Sequence, residues 1–351
     1  MQEVFFSSKE VKTVVGDKAQ SGAPFLAATD RGGDPVADLT EKRPLVSVII
    51  PVFNRAKLLA TALHSVAEQT FPDWEAVVVD DGSSDESAEV ALRVGQPGKV
   101  RVVRHERNLG PSAARNSGIL AARGRYVSFL DSDDSWHPEK LSRQVELVEA
   151  DSNPDMVFCV TQTRVLHSGR CVGLLPNRPP FPEEPWSDFL YVNGGFAQTS
   201  SFFLSRDLAM KVSFRSRIPP NEDHLFFLDL GTYGARYRLI AEPLNNWNHD
   251  PRADRISLAD HTSPAVYLER GRRFLDEASG VMTERARLAY EVRCLGPALL
   301  RESPFDAIKL FQRALLFGAV RLPHLVSVGV RYALPPPAAA LLRRLYYLLT
   351  K

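Results

Sequence analysis

Cysteine is scarce in this chain of 351 residues, and the three present, Cys159, Cys171 and Cys294, form no CxxC pair. So small and scattered a set excludes a zinc ribbon and argues against a disulfide framework, and a reducing, cytoplasmic setting is expected. An excess of one charge is missing too: 43 basic against 42 acidic residues leave +1, no global field for nucleic acid. No apolar run reaches the roughly 18 residues of a membrane-spanning helix. The N-terminus has no basic segment leading into an apolar one, so the folded part is expected to be soluble. No repeat of solenoid period occurs. What remains, 44% hydrophobic and 24% charged, is an ordinary globular composition.

Residues 1–43 mix Gly, Ser, Asp, Lys and Pro without sustained periodicity and read as a flexible tail with at most short local structure. From Leu45 the texture changes. "LVSVII", "EAVVVDD", "VRVVRH" and "RYVSFLD" read as short buried strands, separated by helical stretches near 58–66, 86–94 and 112–122, with another over 138–149. Strands alternating with helices predict right-handed βαβ units, hence an α/β fold with a mostly parallel sheet. Beyond Asp151 the pattern is less regular: "MVFCVTQTRVL", "SSFFLS" and "RYRLIAE" read as strands and "EDHLFFLDLGTYG" as a short helix. From about 262 to the end the chain reads as helices broken by Pro or Gly. The expected division is a domain over 44–260, split near 150, followed by a helical region over 261–351.

Ligands of parallel α/β sheets bind at the C-terminal strand edges, and the acidic clusters fall there. Asp80 and Asp81 follow one strand; Asp131, Asp133 and Asp134 follow another. Carboxylates that crowded repel one another, so either solvent screens them or a cation sits among them. An EF-hand fails on spacing, because Trp136 stands where its Gly must sit and Ser142 where its Glu must sit. A phosphatase with Asp131 as nucleophile and Asp133 as acid/base is a better rival. In "VVVDDGSSD" one carboxylate suffices to cap a turn; a second invites a ligand, such as a nucleobase N–H or a ribose hydroxyl. Arg115 lies on a helix otherwise built of small residues, where a guanidinium can meet a base or phosphate or salt-bridge a neighbouring aspartate.

"SVIIPVFNR", "VVVDDGSSD", "NLGPSAARNSGI" and "GRYVSFLDSDDSW", in this order and at these intervals, resemble the family 2 glycosyltransferases of GT-A fold, over roughly residues 45–260. The resemblance implies an inverting, metal-dependent sugar transfer from a nucleotide-sugar donor, a UDP-sugar first, to a glycan or lipid-linked saccharide acceptor. By it, Pro51, Val52 and Phe53 line the base and Asp81 contacts the nucleoside. Arg115 lies near the nucleotide, Asp131 approaches the ribose or sugar, and Asp133 binds Mn²⁺ or Mg²⁺. "PPNEDHLFF" resembles the family's ED motif, implying Asp223 as catalytic base and Glu222 as its support; the bland alternative is an acidic pair stabilising a helix N-terminus. In "NNWNHDPRADRIS", His249 would touch metal or phosphate and Arg255 would help neutralise the diphosphate. The family often has an acidic residue where this chain has Arg55, which leaves the base contacts open. A non-catalytic nucleotide-sugar or glycan-binding relative is the alternative.

From Ala265 to the end basic residues outnumber acidic ones two to one. Near the terminus Leu341, Leu345 and Leu348 share a helical face that Leu342 and Leu349 widen, with Arg343, Arg344 and Lys351 beside it. Such a helix either packs its leucines on the domain or rests peripherally on an anionic membrane surface.

Overall fold

The computed structural model describes residues 11–14, 43–215, 221–250 and 263–321. The first half contains β1 (Val11–Val14), β2 (Val46–Val52), α1 (Ala56–Ala67), β3 (Trp74–Asp80), α2 (Ser87–Val94), β4 (Val100–His105), α3 (Pro111–Ala121) and β5 (Tyr126–Phe129). Then follow β6 (Ser135–Trp136), α4 (Lys140–Glu149), β7 (Val157–His167), β8 (Arg170–Leu175), α5 (Trp186–Tyr191), β9 (Phe202–Ser205), α6 (Arg206–Val212), α7 (Glu222–Tyr233) and β10 (Arg236–Asn248). Four helices close the described chain: α8 (Pro264–Glu277), α9 (Glu284–Tyr290), α10 (Gly296–Glu302) and α11 (Pro304–Leu316).

The strands form one sheet in the order β1-β4-β3-β2-β5-β9-β7-β10-β6, with β8 paired to β7. Strands β4, β3, β2 and β5 are mutually parallel, as the alternation predicts. Their apolar runs are continuous because helices cover both faces; every residue of β3 is buried. Beyond β5 the sheet is mixed, with β9 antiparallel to both β5 and β7 and β10 parallel to β7. The chain steps from β2 to β3 and β4 on one side, then returns to β5 on the other. That reversal opens a crevice between the C-terminal ends of β2 and β5.

Two cores flank the sheet. One joins Ile50, Leu59, Leu63 and Val78 with Leu141 and Val148. The other is aromatic: Phe129, Phe158, Phe202 and Phe227 are fully buried, and Phe214 stacks on Phe226 with centroids 4.0 Å apart. Leu268, Phe274, Tyr290 and Leu295 belong to this same core, so the described C-terminal helices are packed into the domain. The leucine-rich stretch 341–349 lies outside the described residues. Of residues 1–42 only β1 is described, and it pairs antiparallel with β4.

Helix α3 lies close on β2. A Cβ at Gly118 would stand 2.3 Å from Cγ2 of Ile49, so only glycine permits the approach. Gly118→Ala is expected to cost about 1–3 kcal/mol through overpacking, read as a lower midpoint of thermal unfolding; an unchanged midpoint would mean the helix shifts freely. Strand β10 runs further than "RYRLIAE" predicts. Pro243, which lacks an N–H, sits at a register irregularity, after which pairing with β7 resumes to Asn248. "NNWN" is therefore strand, and its end reaches the acidic loop after β5.

Candidate active site

The loops after β2 and β3 are laced together at the crevice. Asn54, at positive φ, accepts from the Ser84 N–H at 2.8 Å, while its own N–H donates to Ser83 Oγ at 2.9 Å. Asp85 accepts the Ala56 N–H at 3.0 Å, which caps α1 from the neighbouring loop. Burial opposes ionisation of Asp85, but hydrogen bonds from Ser87 and Ala56 outweigh it and hold the carboxyl below its usual range. Val52 is buried at this floor, Pro51 is half-buried, and Phe53 is 41% exposed, an apolar ring at the crevice mouth.

Asp81 turns inward. One of its oxygens meets His105 Nδ1 at 2.6 Å and accepts the Leu109 N–H at 2.9 Å; the other accepts the Gly110 N–H at 2.8 Å. This carboxylate seats the loop that starts α3. Asp80 is fully buried, accepts the Ser83 N–H at 2.9 Å and lies 3.2 Å from Arg104 Nε.

The three carboxylates after β5 diverge, each to its own partners. Asp131 pairs with Arg115 at 2.7 Å and Asp133 with Arg55 at 3.3 Å. Asp134 points inward and accepts from Gln198 Nε2 at 2.6 Å, Ser200 Oγ at 2.7 Å and the Asn248 N–H at 3.2 Å. Burial, with Asp133 and Asp131 beside it, pushes the Asp134 carboxyl well above the usual range, against the hydrogen bonds from Ser200 and Asn248. The loop is fixed further where Ser200 Oγ accepts the Asp131 N–H at 3.0 Å and Asn248 Nδ2 donates to the Asp133 carbonyl at 2.6 Å. His249, next in the chain, packs against Trp247 at this edge, with ring centroids 4.4 Å apart and planes tilted by 46°. Arg255 lies outside the described residues.

Arg115 is buried, and it joins the two halves of the site. It contacts Asp131 at 2.7 Å and Glu222, the first residue of α7, at 3.0 Å. Burial opposes its charge, but Asp131 and Glu222 more than compensate and raise its pKa. The salt bridge of the sequence reading is thus present, to Asp131 and to Glu222. Burial raises the Glu222 carboxyl above its usual range despite Arg115, and Asp223 adds to the effect. Asp223 accepts the N–H of His224 at 2.8 Å. Asn116 holds the segment before α7 in place, exchanging two hydrogen bonds with the backbone of Phe214.

Among the described residues no three His, Cys, Asp or Glu side chains form a ready-made metal cage. A cation held jointly with a diphosphate needs only one or two protein carboxylates. Asp133, 12% exposed at the crevice mouth, with Asp131 in the same loop, fits that donor set. Sequence reading missed Gln198, Ser200, Asn248 and His105, which act by hydrogen bonding across long separations and leave no local motif.

A crevice at a sheet switch point, with an acidic loop facing an acidic helix N-terminus, is the architecture of a GT-A glycosyltransferase. The profile of glycosyl transferase family 2 matches residues 47–211. An amylovoran biosynthesis glycosyltransferase of Erwinia amylovora is 32% identical over 207 residues, spanning 58% of this chain and 69% of that protein. A teichuronic acid biosynthesis glycosyltransferase of Bacillus subtilis, itself named as putative, is 40% identical over 111 residues, 31% of this chain and 44% of that one. Among solved structures, S. aureus TarS 1-349 with UDP-GlcNAc aligns at TM-score 0.54 and 21% identity, covering 84% of this chain and 83% of that one. A mannosyltransferase of Pyrobaculum calidifontis with GDP-Man and Mn²⁺ aligns at 0.51 and 19%, covering 88% and 86%. The chain belongs to glycosyl transferase family 2.

Proposed function

We propose that the chain is a metal-dependent, inverting glycosyltransferase that moves a sugar from a nucleoside-diphosphate donor, a UDP-sugar first, to a hydroxyl of a glycan or lipid-linked saccharide. The two bacterial relatives, named for amylovoran and teichuronic acid biosynthesis, support polysaccharide assembly as the setting, and a peripheral place at the cytoplasmic side of a membrane is part of the proposal. The carrying observation is the bridge through Arg115, which sets the acidic loop after β5 against the acidic start of α7.

Charge accounting gives the mechanism. Departure of the nucleoside diphosphate develops negative charge, which Mn²⁺ or Mg²⁺, when bound, would stabilise as a Lewis acid. Asp133, with His249 from the end of β10, would hold that ion. Pro51, Val52 and Phe53 bound the nucleoside, Asp81 keeps the loop beneath it in place, and Asp131, fixed by Arg115, faces the ribose or sugar. Asp223 accepts the proton of the attacking hydroxyl as the new bond forms. Glu222, held by Arg115, fixes the helix end from which Asp223 projects. One base on the acceptor side implies a single displacement with inversion and no covalent sugar intermediate. Arg255 is the remaining candidate for diphosphate neutralisation.

Isothermal titration of UDP, GDP and dTDP, with Mn²⁺ and with chelator, tests the donor site. One nucleotide is expected to bind in a manner that needs both metal and Asp133, with Asp133→Ala weakening it at least tenfold. Failure of all three at millimolar concentration in folded protein overturns the donor-site reading.

A further inference from the structure

Arg55 sits at the start of α1 in the loop after β2, and its guanidinium lies 3.3 Å from the Asp133 carboxylate in the loop after β5. The two strands are neighbours on opposite sides of the chain reversal, so this ion pair spans the crevice itself. The side chains are 19% and 12% exposed, dry enough for the attraction to exceed that of an open surface pair. The backbone fixes the base of Arg55, since its N–H donates to Ser87 Oγ at 3.1 Å. From there the side chain runs through rotatable single bonds to the guanidinium.

We infer that Arg55 is a latch on the donor site: it occupies Asp133 before the donor arrives and transfers to the donor's diphosphate as the cation takes its place. The inference rests on the donor-site reading above. Its physical content is a change of sign. Without nucleotide, a guanidinium on Asp133 competes with a divalent cation for the same carboxylate and repels it. With a diphosphate present, the added negative charge attracts both cations, and the planar fork of Arg55 matches phosphate oxygens. Arg55 therefore opposes the cation alone and favours the cation with nucleotide. Cation and donor then bind cooperatively, which keeps the site from holding a metal ion without a substrate.

The test is Mn²⁺ binding, followed by the electron paramagnetic resonance signal of the free ion, to wild type, Arg55→Ala, Arg55→Gln and Asp133→Ala, without nucleotide and with saturating UDP or GDP. Removing the guanidinium is expected to tighten Mn²⁺ alone roughly three- to tenfold and to weaken Mn²⁺ with nucleotide by a similar factor, on the scale of a partly buried ion pair. Agreement between the Ala and Gln variants, with unchanged thermal midpoints, assigns the effect to the charge. Equal or weaker binding of Mn²⁺ alone by both variants overturns the latch while leaving the donor site standing. Absence of Mn²⁺ binding from wild type and Arg55 variants, with and without either nucleotide, overturns both readings.

Discussion

Asp223→Asn is expected to lower sugar transfer by about a thousandfold, within the range general-base removal produces, while nucleotide affinity stays unchanged. The argument turns on the difference between two adjacent carboxylates at the start of α7. Glu222 is tied to Arg115 at 3.0 Å and cannot leave that pair without costing a buried cation one of its two counter-ions. Asp223 accepts a hydrogen bond from the neighbouring backbone at 2.8 Å and projects from the same helix end. An Asn there keeps size and hydrogen bonding but accepts no proton. Glu222→Gln should instead reduce transfer modestly and lower stability, because it loosens a support and leaves the base in place. Nucleotide release from the donor, measured with acceptor present, reads the rate; titration calorimetry reads the affinity. A variant retaining transfer within tenfold of wild type would remove Asp223 from the mechanism, and absence of transfer by wild type would favour the non-catalytic alternative.

The second large effect is structural. Arg115→Met should destabilise the fold by about 3 kcal/mol, since removing one partner leaves the remaining carboxylates of a buried ion-pair network uncompensated. Glu222 and Asp131 are 12% and 27% exposed, so Glu222 bears most of the penalty. Loss of the guanidinium removes what holds the Glu222 carboxyl down, so its pKa, already raised by burial, rises further. A folded-state pKa above the unfolded one means a cost that grows as pH rises through the folded value and vanishes below the unfolded one. The Arg115→Met deficit should therefore shrink as pH falls through the acid range, and adding Glu222→Gln should recover part of it. Denaturant unfolding across pH checks both points; a deficit independent of pH and of Glu222 would mean that packing against Phe214, not charge, holds Arg115.

The sequence and the structure agree where the information is local. "VVVDDGSSD" announces a buried strand ending in a turn because apolar β-branched residues give way at once to Asp and Gly, and β3 ends at Asp80 as that predicts. The helix expected over 112–122 is α3, displaced by one residue because Pro111 serves as its first turn. Agreement fades where partners are distant. Nothing in the helix around Arg115 points to its partner Glu222, which lies 107 positions on. "DSDD" reads as a shared cluster, yet its members part because Gln198 with Ser200, Arg55 and Arg115 reach it from three other segments. Strand β10 was legible only up to its proline, since three of the four residues that pair beyond it are asparagines.

The bridge through Arg115 also acts as a certificate of completion. Its arms span 16 and 107 positions of chain, so closing it costs loop entropy that only a finished sheet and a docked α7 can meet. A nascent chain ending before α7 holds the acidic loop and the laced turns, yet Arg115 has no second counter-ion and Asp223 does not exist. On the proposed reading, the donor-side loop and the acceptor-side helix therefore come into place together.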